Sequence, residues 1–524
     1  VTDDIVCRAA AVALTGLDGT AVTVEAAVSQ QLPGMTIIGL PDTALAEAKL
    51  RVRTATTQAG IQLSNRFVTV NLSPAALPKH GAGFDLAIAL AALAASRRMP
   101  AAHLADTVHL GELGLGGELR RPAGLLSATV AARRLGFRRI MVPAECGDEA
   151  ALVPGIEVVA VATLTEAVEW YRQGCQVTRT PSPAVHTSNR PVSAAVEGTP
   201  KQQPDDVSEI VGQPDAVETL VIAAAGRHHL SLLGPPGAGK TMLAMRLPTV
   251  LPELTDSEAL EASSIASLGG TALTELVRRP PFENPHHTAS PVAIIGGGMG
   301  NVVRPGAVTR AHHGVLLMDE APEFPRAVLD ALRQPLESGT IEIHRAQLRT
   351  ALPARVQLVL AANPCPCGNA GSPDTALECH CPPSVRVRYQ QRISGPLADR
   401  IDLHLTLPRV SRVARSDPEH AAPTSAELRA RVVRARERAG ERLRGTPWRV
   451  NAEVPGRWLR NSEQRLPRSD TAILDRALAR GGLTLRGYDR VLRVAWSIAD
   501  LAGHERPRRD DIAQALLLRN GAES

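Results

Sequence analysis

The residues with the clearest chemistry are Gly234, Pro235, Pro236, Gly237, Ala238, Gly239, Lys240 and Thr241, an unbroken G-x-x-x-x-G-K-[ST] string. It lies between an apolar run, Leu230 to Leu233, and the start of a helical pattern, Met242 to Leu247. A strand, loop and helix in this order aim backbone N–H groups at an anion, and the glycines let the chain wrap it closely. Among 58 basic residues the lysines are only Lys49, Lys79, Lys201 and Lys240, yet this loop carries one. A compact ammonium reaches between the β- and γ-phosphates where a planar guanidinium does not fit. The string predicts ATP binding.

A nucleotide loop that hydrolyses needs carboxylates beside it. Gly314 to Met318 reads as a buried strand ending in Asp319 and Glu320. Asp319 is assigned to Mg²⁺, shared with the Thr241 hydroxyl, and Glu320 to activation of the attacking water. A third apolar run, Arg355 to Ala362, ends at Asn363, whose amide would lie between the two motifs and orient that water.

Four of seven cysteines fall within one short stretch: Cys365, Cys367, Cys379 and Cys381. Two close pairs separated by a loop can surround one Zn²⁺ tetrahedrally, although C-x-C is tighter than the commoner spacing. Reduced structural thiols and disulfides are the alternatives, the last disfavoured in a reducing compartment. Cys7, Cys146 and Cys175 show no partner spacing. The pairs His286-His287 and His312-His313 precede or open the Asp-Glu strand and read either as polar packing or as metal ligands.

The 524 residues suffice for two to four domains. Aromatics at 2% argue against base stacking as the main nucleic-acid device, so phosphate contacts would fall to arginine and backbone. The longest apolar run, Leu86 to Ala95, is half a bilayer span, and the acidic start is not a secretory leader; a cytoplasmic protein without a membrane partner is expected. From Arg409 onward 24 arginines face 15 acidic residues, an asymmetry that fits either a nucleic-acid partner or a salt-bridged helical face. Val177 to Pro204, rich in Pro, Ser and Thr, reads as a flexible linker. It separates an α/β domain, residues 1–176, from a nucleotide-binding α/β core, 205–408, that contains the cysteine loop 365–381; residues 409–524 read as helical.

The order of P-loop, Asp-Glu strand and Asn-tipped strand resembles AAA+ ATPases, which implies a P-loop NTPase core, a parallel sheet with helices on both faces, under a C-terminal helical lid. Leu397-Ala398-Asp399-Arg400-Ile401-Asp402 is similar to the segment that carries the arginine finger in the magnesium-chelatase and minichromosome-maintenance branch. By that resemblance Arg400 acts on a neighbouring subunit's nucleotide, and Arg486, in Leu483 to Gly487, is the second sensor. Asn284 to Thr288, Ile295 to Gly298, Ala311 to Gly314, Asn363 to Gly368 and Ser394 to Leu397 together resemble the ComM/YifB family, with a departure at Ala307, where relatives tend to carry an acid. The resemblance implies a hexameric ring that hydrolyses ATP and moves DNA in branch migration or a helicase-type reaction. Gly339 to Pro353 reads as a β-hairpin; in related rings it faces the pore, where His344, Arg345 and Arg349 would meet phosphates, and a place on the rim is the alternative. The segments Pro78 to Asp85, Gly111 to Leu119 and Ala123 to Leu126 resemble the protease domain of Lon-type enzymes. The serine position falls at Gly83 and the lysine position at Leu126, so a Ser-Lys dyad is missing and an inactive domain is expected. Rival readings are the ATPase subunit of a metal chelatase and a nucleotide-gated scaffold.

Overall fold

The computed structural model describes residues 6–39, 42–74, 82–175, 206–297, 303–345, 348–370, 378–409 and 422–523. The segment 177–204 and Lys79 lie outside them.

Toward the N-terminus, seven strands form one sheet in the order Gly34–Ile38, Phe67–Ser73, Asp18–Ser29, Cys7–Thr15, Thr107–His109, Arg139–Pro143 and Glu157–Val161. Strand Cys7–Thr15 holds both faces because successive side chains point opposite ways. Cys7, Ala9, Ala11 and Ala13 enter the apolar cluster that contains helix Asp85–Ala95, while Ala10 and Val12 enter the cluster built on helix Leu125–Arg134. Short alanine side chains let both helices approach the sheet. The same alanine richness hides this strand in the sequence, where β-branched and aromatic residues carry the strand signal.

The second sheet has the order Phe282–Glu283, Val315–Met318, Gln357–Ala362, Leu230–Leu233, Leu403–Thr406 and Ala522–Glu523, and every adjacent pair is parallel. Both faces are covered, as an all-parallel sheet requires. Leu230, Leu232, Val315, Leu317, Val359 and Leu403 face one cluster; Leu316, Met318, Leu358 and Leu360 face another. The chain is thus a mixed α/β protein with an AAA+ P-loop core.

The helices after residue 422 are continuous with this core rather than a separate layer. Val432, Leu492, Val494, Trp496 and Ile512 share one apolar cluster with the P-loop strand. Nor is this part wholly helical, since Ala522–Glu523 returns to pair with Leu405 and Thr406. Helix Ser425–Arg442 opens on a Thr424/Glu427 capping box. Three of its arginines reach carbonyls of neighbouring helices. Arg436 donates to Ala224 O at 2.7 Å, Arg429 to Thr249 O at 2.6 Å, and Arg438 to Asp500 O, each a carbonyl in the last turn of a different helix. Cations there satisfy orphan carbonyls and complement the helix dipole. Three of this helix's arginines therefore serve helix ends, and Arg431 and Arg442 pair with Glu218 and Asp500.

Asp402, 2% exposed, ties the sheet to the last helices. It accepts the His229 N–H at 2.9 Å and pairs with Arg490 of helix Leu485–Ala502. Burial alone would raise its carboxyl, but Arg490 and the His228 ring hold it well below the usual range. A carboxylate depressed on folding contributes stability above its unfolded pKa and loses it only as pH falls through the folded value, so this tie persists throughout the neutral and mildly acidic range. Asp402→Ala leaves a buried guanidinium unpaired and is expected to cost about 3 kcal/mol or more. A clearly lowered thermal transition at pH 7, measured by differential scanning calorimetry, checks this; an unchanged transition contradicts it.

Candidate nucleotide site

Strand register assembles the site. Leu233 lies opposite Ala362 and Thr406, and Met318 opposite Leu360, so Gly234, Asp319 and Asn363 all leave the sheet at the same edge. Gly237 and Gly239 adopt φ of +79° and +81°, where a side chain would be strained. Gly234 lies so close to the Leu407 carbonyl that an added Cβ would come within 2.5 Å of it. Gln213 closes the loop from below, donating to Ala238 O at 3.0 Å; sequence reasoning missed this residue, which carries no motif.

Lys240 is 9% exposed, and its ammonium donates to Gly234 O at 2.8 Å, Pro235 O at 3.0 Å and Asn363 Oδ1 at 3.0 Å. Burial lowers its pKa, opposed by the Asp319 and Glu320 carboxylates. Three donors turned to three neutral oxygens in a positive-φ glycine loop suit exchange for phosphate oxygens. Thr241 Oγ1 donates to Asp319 Oδ2 at 2.8 Å, and the Glu320 N–H donates to Asp319 Oδ1 at 2.9 Å. A hydroxyl and a carboxylate in contact are the hard oxygen donors that Mg²⁺ takes alongside phosphate. Glu320 stands at φ +52°, unusual for a residue with a side chain, and its Oε2 lies 3.2 Å from Nδ1 of His287, one of the paired histidines.

Arg400 and Arg486 are brought together elsewhere. Leu403 pairs with Leu230 at the start of the P-loop strand, so Arg400 precedes the opposite edge. Four residues at ~3.3 Å each put that edge about 13 Å from the loop. Arg400, 8% exposed, donates to Pro396 O and to Glu337 Oε2, both at 2.6 Å. Arg486 reaches the other oxygen of the same carboxylate at 2.9 Å and Asp399 at 3.4 Å. Glu337, which no motif flags, is thus the anchor of both arginines, and the two cations lower its carboxyl, Arg400 foremost.

Three family models cover most of the chain: "Magnesium chelatase, subunit ChlI" at residues 206–415, "Subunit ChlI of Mg-chelatase" at 24–146, and "Magnesium chelatase, subunit ChlI C-terminal" at 422–519. An uncharacterized protein of Mycobacterium tuberculosis strain H37Rv is 45% identical over 98% of both chains. The competence protein ComM of Haemophilus influenzae is 39% identical over 96% of this chain and 95% of its own. The chain belongs to the ComM/YifB family of magnesium-chelatase-like AAA+ proteins. A more distant likeness, 24% identity over 59% of this chain and 39% of the other, links this ComM/YifB member to the DNA replication licensing factor MCM7 of Oryza sativa. The family is one of ATPases, which agrees with the residues gathered around Lys240. No helix among the described residues is long and apolar enough to cross a membrane.

The cysteine loop rests on the P-loop. Gly368 has φ +83°, and a Cβ there would stand 2.4 Å from Pro236 Cδ. The thiols of Cys365, Cys367, Cys379 and Cys381 all lie within 4.8 Å of one another, three pairs at 3.3, 3.6 and 3.7 Å. A tetrahedron with ~2.3 Å metal–sulfur bonds has edges of about 3.8 Å, so this cluster could hold a metal. The Asn369 backbone N–H, then the Cys365 thiol, draw Cys367 down to about 6, so one thiolate is available at neutral pH. Among described residues Glu261, His312 and His313 form a second such group. Here the hydrogen bonds decide against a metal. The Arg355 N–H donates to His312 Nδ1 at 3.0 Å, which puts the ring proton on Nε2, facing Glu261 at 3.0 Å. Arg227 and Glu258 both face His313 Nδ1, at 3.4 and 3.6 Å, and its Nε2 lies 2.9 Å from the same Glu261 oxygen. Burial pushes His312 down to about 4, so it stays neutral. Polar packing is the reading that fits: two imidazole rings lock helix Asp256–Leu268 to the entry of the Asp-Glu strand.

His344, Arg345 and Arg349 fall in the hairpin Thr340–Arg345 and Leu348–Pro353, whose backbone pairs His344 with Arg349. Their side chains lie outside the described residues. Gly83 and Leu126 offer no hydroxyl or amine, and Leu126 is fully buried.

Two outcomes test the site. Glu320→Gln is expected to bind ATP with wild-type affinity and hydrolyse it at least about 100-fold more slowly, since a general base contributes roughly 10²–10⁴ in rate; equal turnover refutes the role given to Glu320. Metal analysis of purified protein is expected to find one zinc per chain, lost in the Cys365→Ser/Cys379→Ser variant, and a metal-free, thermally unchanged wild type overturns the zinc assignment.

Proposed function

We propose that the chain is an ATP-hydrolysing ring motor that moves DNA, with branch migration or helicase-type strand displacement in recombination or natural transformation as its reaction, in the cytoplasm. The observation that carries the reading is the coexistence of a complete hydrolytic edge, Lys240, Thr241, Asp319, Glu320 and Asn363, with Arg400 and Arg486 gathered at the opposite edge. One chain supplies half of a site at each side. Closure into a ring, a hexamer by family resemblance, lets each copy complete its neighbour's site.

In that arrangement Lys240 meets phosphate oxygens and Asn363 orients the attacking water. Glu320 takes the water's proton as the water oxygen bonds to the γ-phosphorus and the bond to ADP breaks. Mg²⁺, when bound, neutralises phosphate charge, and Thr241 and Asp319 would hold it. Arg400 of a neighbouring copy stabilises the charge that spreads over the γ-phosphoryl oxygens, a contribution of roughly 10³–10⁵ in rate where it has been separated. Arg486, tied to the same Glu337, moves with it. Zn²⁺ in the cysteine cluster would brace the P-loop through Gly368.

DNA enters through the relatives' names, a competence protein and a replication licensing factor, and through the hairpin arginines. The N-terminal α/β unit, Lon-like and without its dyad, serves assembly or binding. A second reading, the ATPase subunit of a metal chelatase, is favoured by the family models' descriptions. The first reading is preferred on the near full-length match to a competence protein. The test is ATP turnover with single-stranded, duplex and branched DNA. Stimulation by DNA is expected, and Arg345→Ala/Arg349→Ala should keep basal turnover, lose the stimulation, and flatten the log K against log salt slope by nearly one unit per lost contact. Turnover indifferent to every DNA leaves the scaffold or chelatase reading.

A further inference from the structure

Helix Pro383–Gln390 follows the cysteine loop and is anchored on one side: Tyr389 is buried, Gln390 Nε2 donates to Pro364 O at 3.3 Å, and Arg386 Nε donates to Cys381 O at 2.9 Å. Arg388 is left exposed, with no partner among the described residues. Two more arginines share a groove with it. Arg326 meets Asp330 only at 3.6 Å, and Arg392 pairs with the half-exposed Glu323 at 3.1 Å. The groove has a volume of about 740 Å³, and Glu323 is the only acid among the described residues that line it. Three guanidiniums against one carboxylate leave it net positive. Ser394 also lines the groove; it is 9% exposed, and its hydroxyl has no hydrogen-bond partner among the described residues. A hydroxyl buried without a partner costs free energy that an accepting ligand oxygen offsets. Phe324, the one aromatic in the lining, is almost wholly buried, so no ring face is open for a base to stack on.

We propose that this groove seats the phosphodiester backbone of a DNA strand, with Arg326, Arg388 and Arg392 donating to phosphate oxygens and the Ser394 hydroxyl to one of them. The inference rests on the DNA reading above and deepens it by naming a place, apart from the hairpin, where the strand is held. Donors without a stacking surface suit phosphate rather than bases, as the scarcity of aromatics in the chain requires. Three guanidiniums along a groove many times the size of one phosphate group suit successive phosphates of a strand. The groove reaches Pro396, whose carbonyl accepts from Arg400 at 2.6 Å, so a bound strand touches the segment that carries Arg400.

The test uses the full chain and the fluorescence anisotropy of a labelled single-stranded oligothymidylate across a salt titration. Arg326→Ala/Arg388→Ala is expected to bind it at least about tenfold more weakly, with a log K against log salt slope flatter by about 1.4, two contacts at ~0.7 each for a single strand. Arg326→Lys/Arg388→Lys keeps both charges and should keep the slope. Ser394→Ala is expected to weaken binding about threefold without lowering the thermal transition, because the lost hydroxyl has no partner in the chain. Unchanged affinity and slope in Arg326→Ala/Arg388→Ala overturn the proposal. So does a loss of affinity for a fluorescent ATP analogue with DNA affinity kept, which assigns the groove to nucleotide phosphate, and so does a parallel loss of assembly in sedimentation, which assigns it to a second copy of the chain. Wild-type protein that binds no DNA would instead sink the DNA reading itself, so the two failures are told apart.

Discussion

Strands that run the same way must put all their C-terminal tips on one edge and all their entries on the other. In this protein four of them, Leu230–Leu233, Val315–Met318, Gln357–Ala362 and Leu403–Thr406, stand in register. The loop that wraps phosphate, the paired carboxylates and the amide therefore share an edge because of the sheet, without any further device. The same geometry denies Arg400 to its own Lys240, since it enters where the others leave. Strand direction thus keeps Arg400 and the P-loop at opposite edges of one chain, which is the arrangement the proposed ring requires. The apolar residues on the two faces of these strands stabilise that direction, and side chains at the tips contribute only chemistry.

The helices after residue 422 depend on the same sheet for position. Arg490 grips Asp402 at the entry of Leu403–Thr406, and Arg519 donates to the Ile401 carbonyl beside it. Arg486 shares Glu337 with Arg400. A displacement of these helices would therefore move Arg400's surroundings directly. On the other flank, Glu149 of the N-terminal unit pairs with Arg121 and accepts from Ser267 Oγ at 2.7 Å, while the Leu126 N–H donates to the same hydroxyl at 3.2 Å. Ser267 ends the helix whose Glu261 holds His312 and His313, and Gly314 and the Asp-Glu strand follow immediately. The N-terminal unit and the strand that ends in Asp319 and Glu320 are thus joined through one helix.

The P-loop, Asp319, Glu320 and Asn363 were legible because each is a short string whose chemistry tolerates few residue types. Arg400 and Arg486 were legible only through resemblance, since arginine is this chain's ordinary cation and its spacing alone says nothing. Glu337 and Gln213 were not legible at all. Their work depends on tertiary neighbours 63 and 149, and 25 positions away, and nothing local marks them. His287 was visible as half of a histidine pair, but its contact with Glu320, 33 positions on, was not. The alanine-rich strand Cys7–Thr15 was missed for a different reason: its residues were chosen for closeness of packing, and they carry no strand propensity. The basic excess after Arg409 was visible as a count, but a count does not distinguish a surface from a set of helix caps.

Those caps have a consequence for how the C-terminal helices respond to their surroundings. Burial lowers the Arg436 guanidinium only to about 10, so it is charged at neutral pH, and no imidazole or carboxylate titrates in its bond to Ala224 O. The acceptors at Ala224, Thr249 and Asp500 are backbone carbonyls, dipoles rather than ions, so mobile salt has little charge to screen there. These three contacts are in this sense silent to both protons and electrolyte, unlike the ion pairs Arg490–Asp402 and Arg431–Glu218 that cross the same junction. Changes in medium would reach the molecule first through its carboxylate pairs, above all the exposed meeting of Arg486 with Glu337.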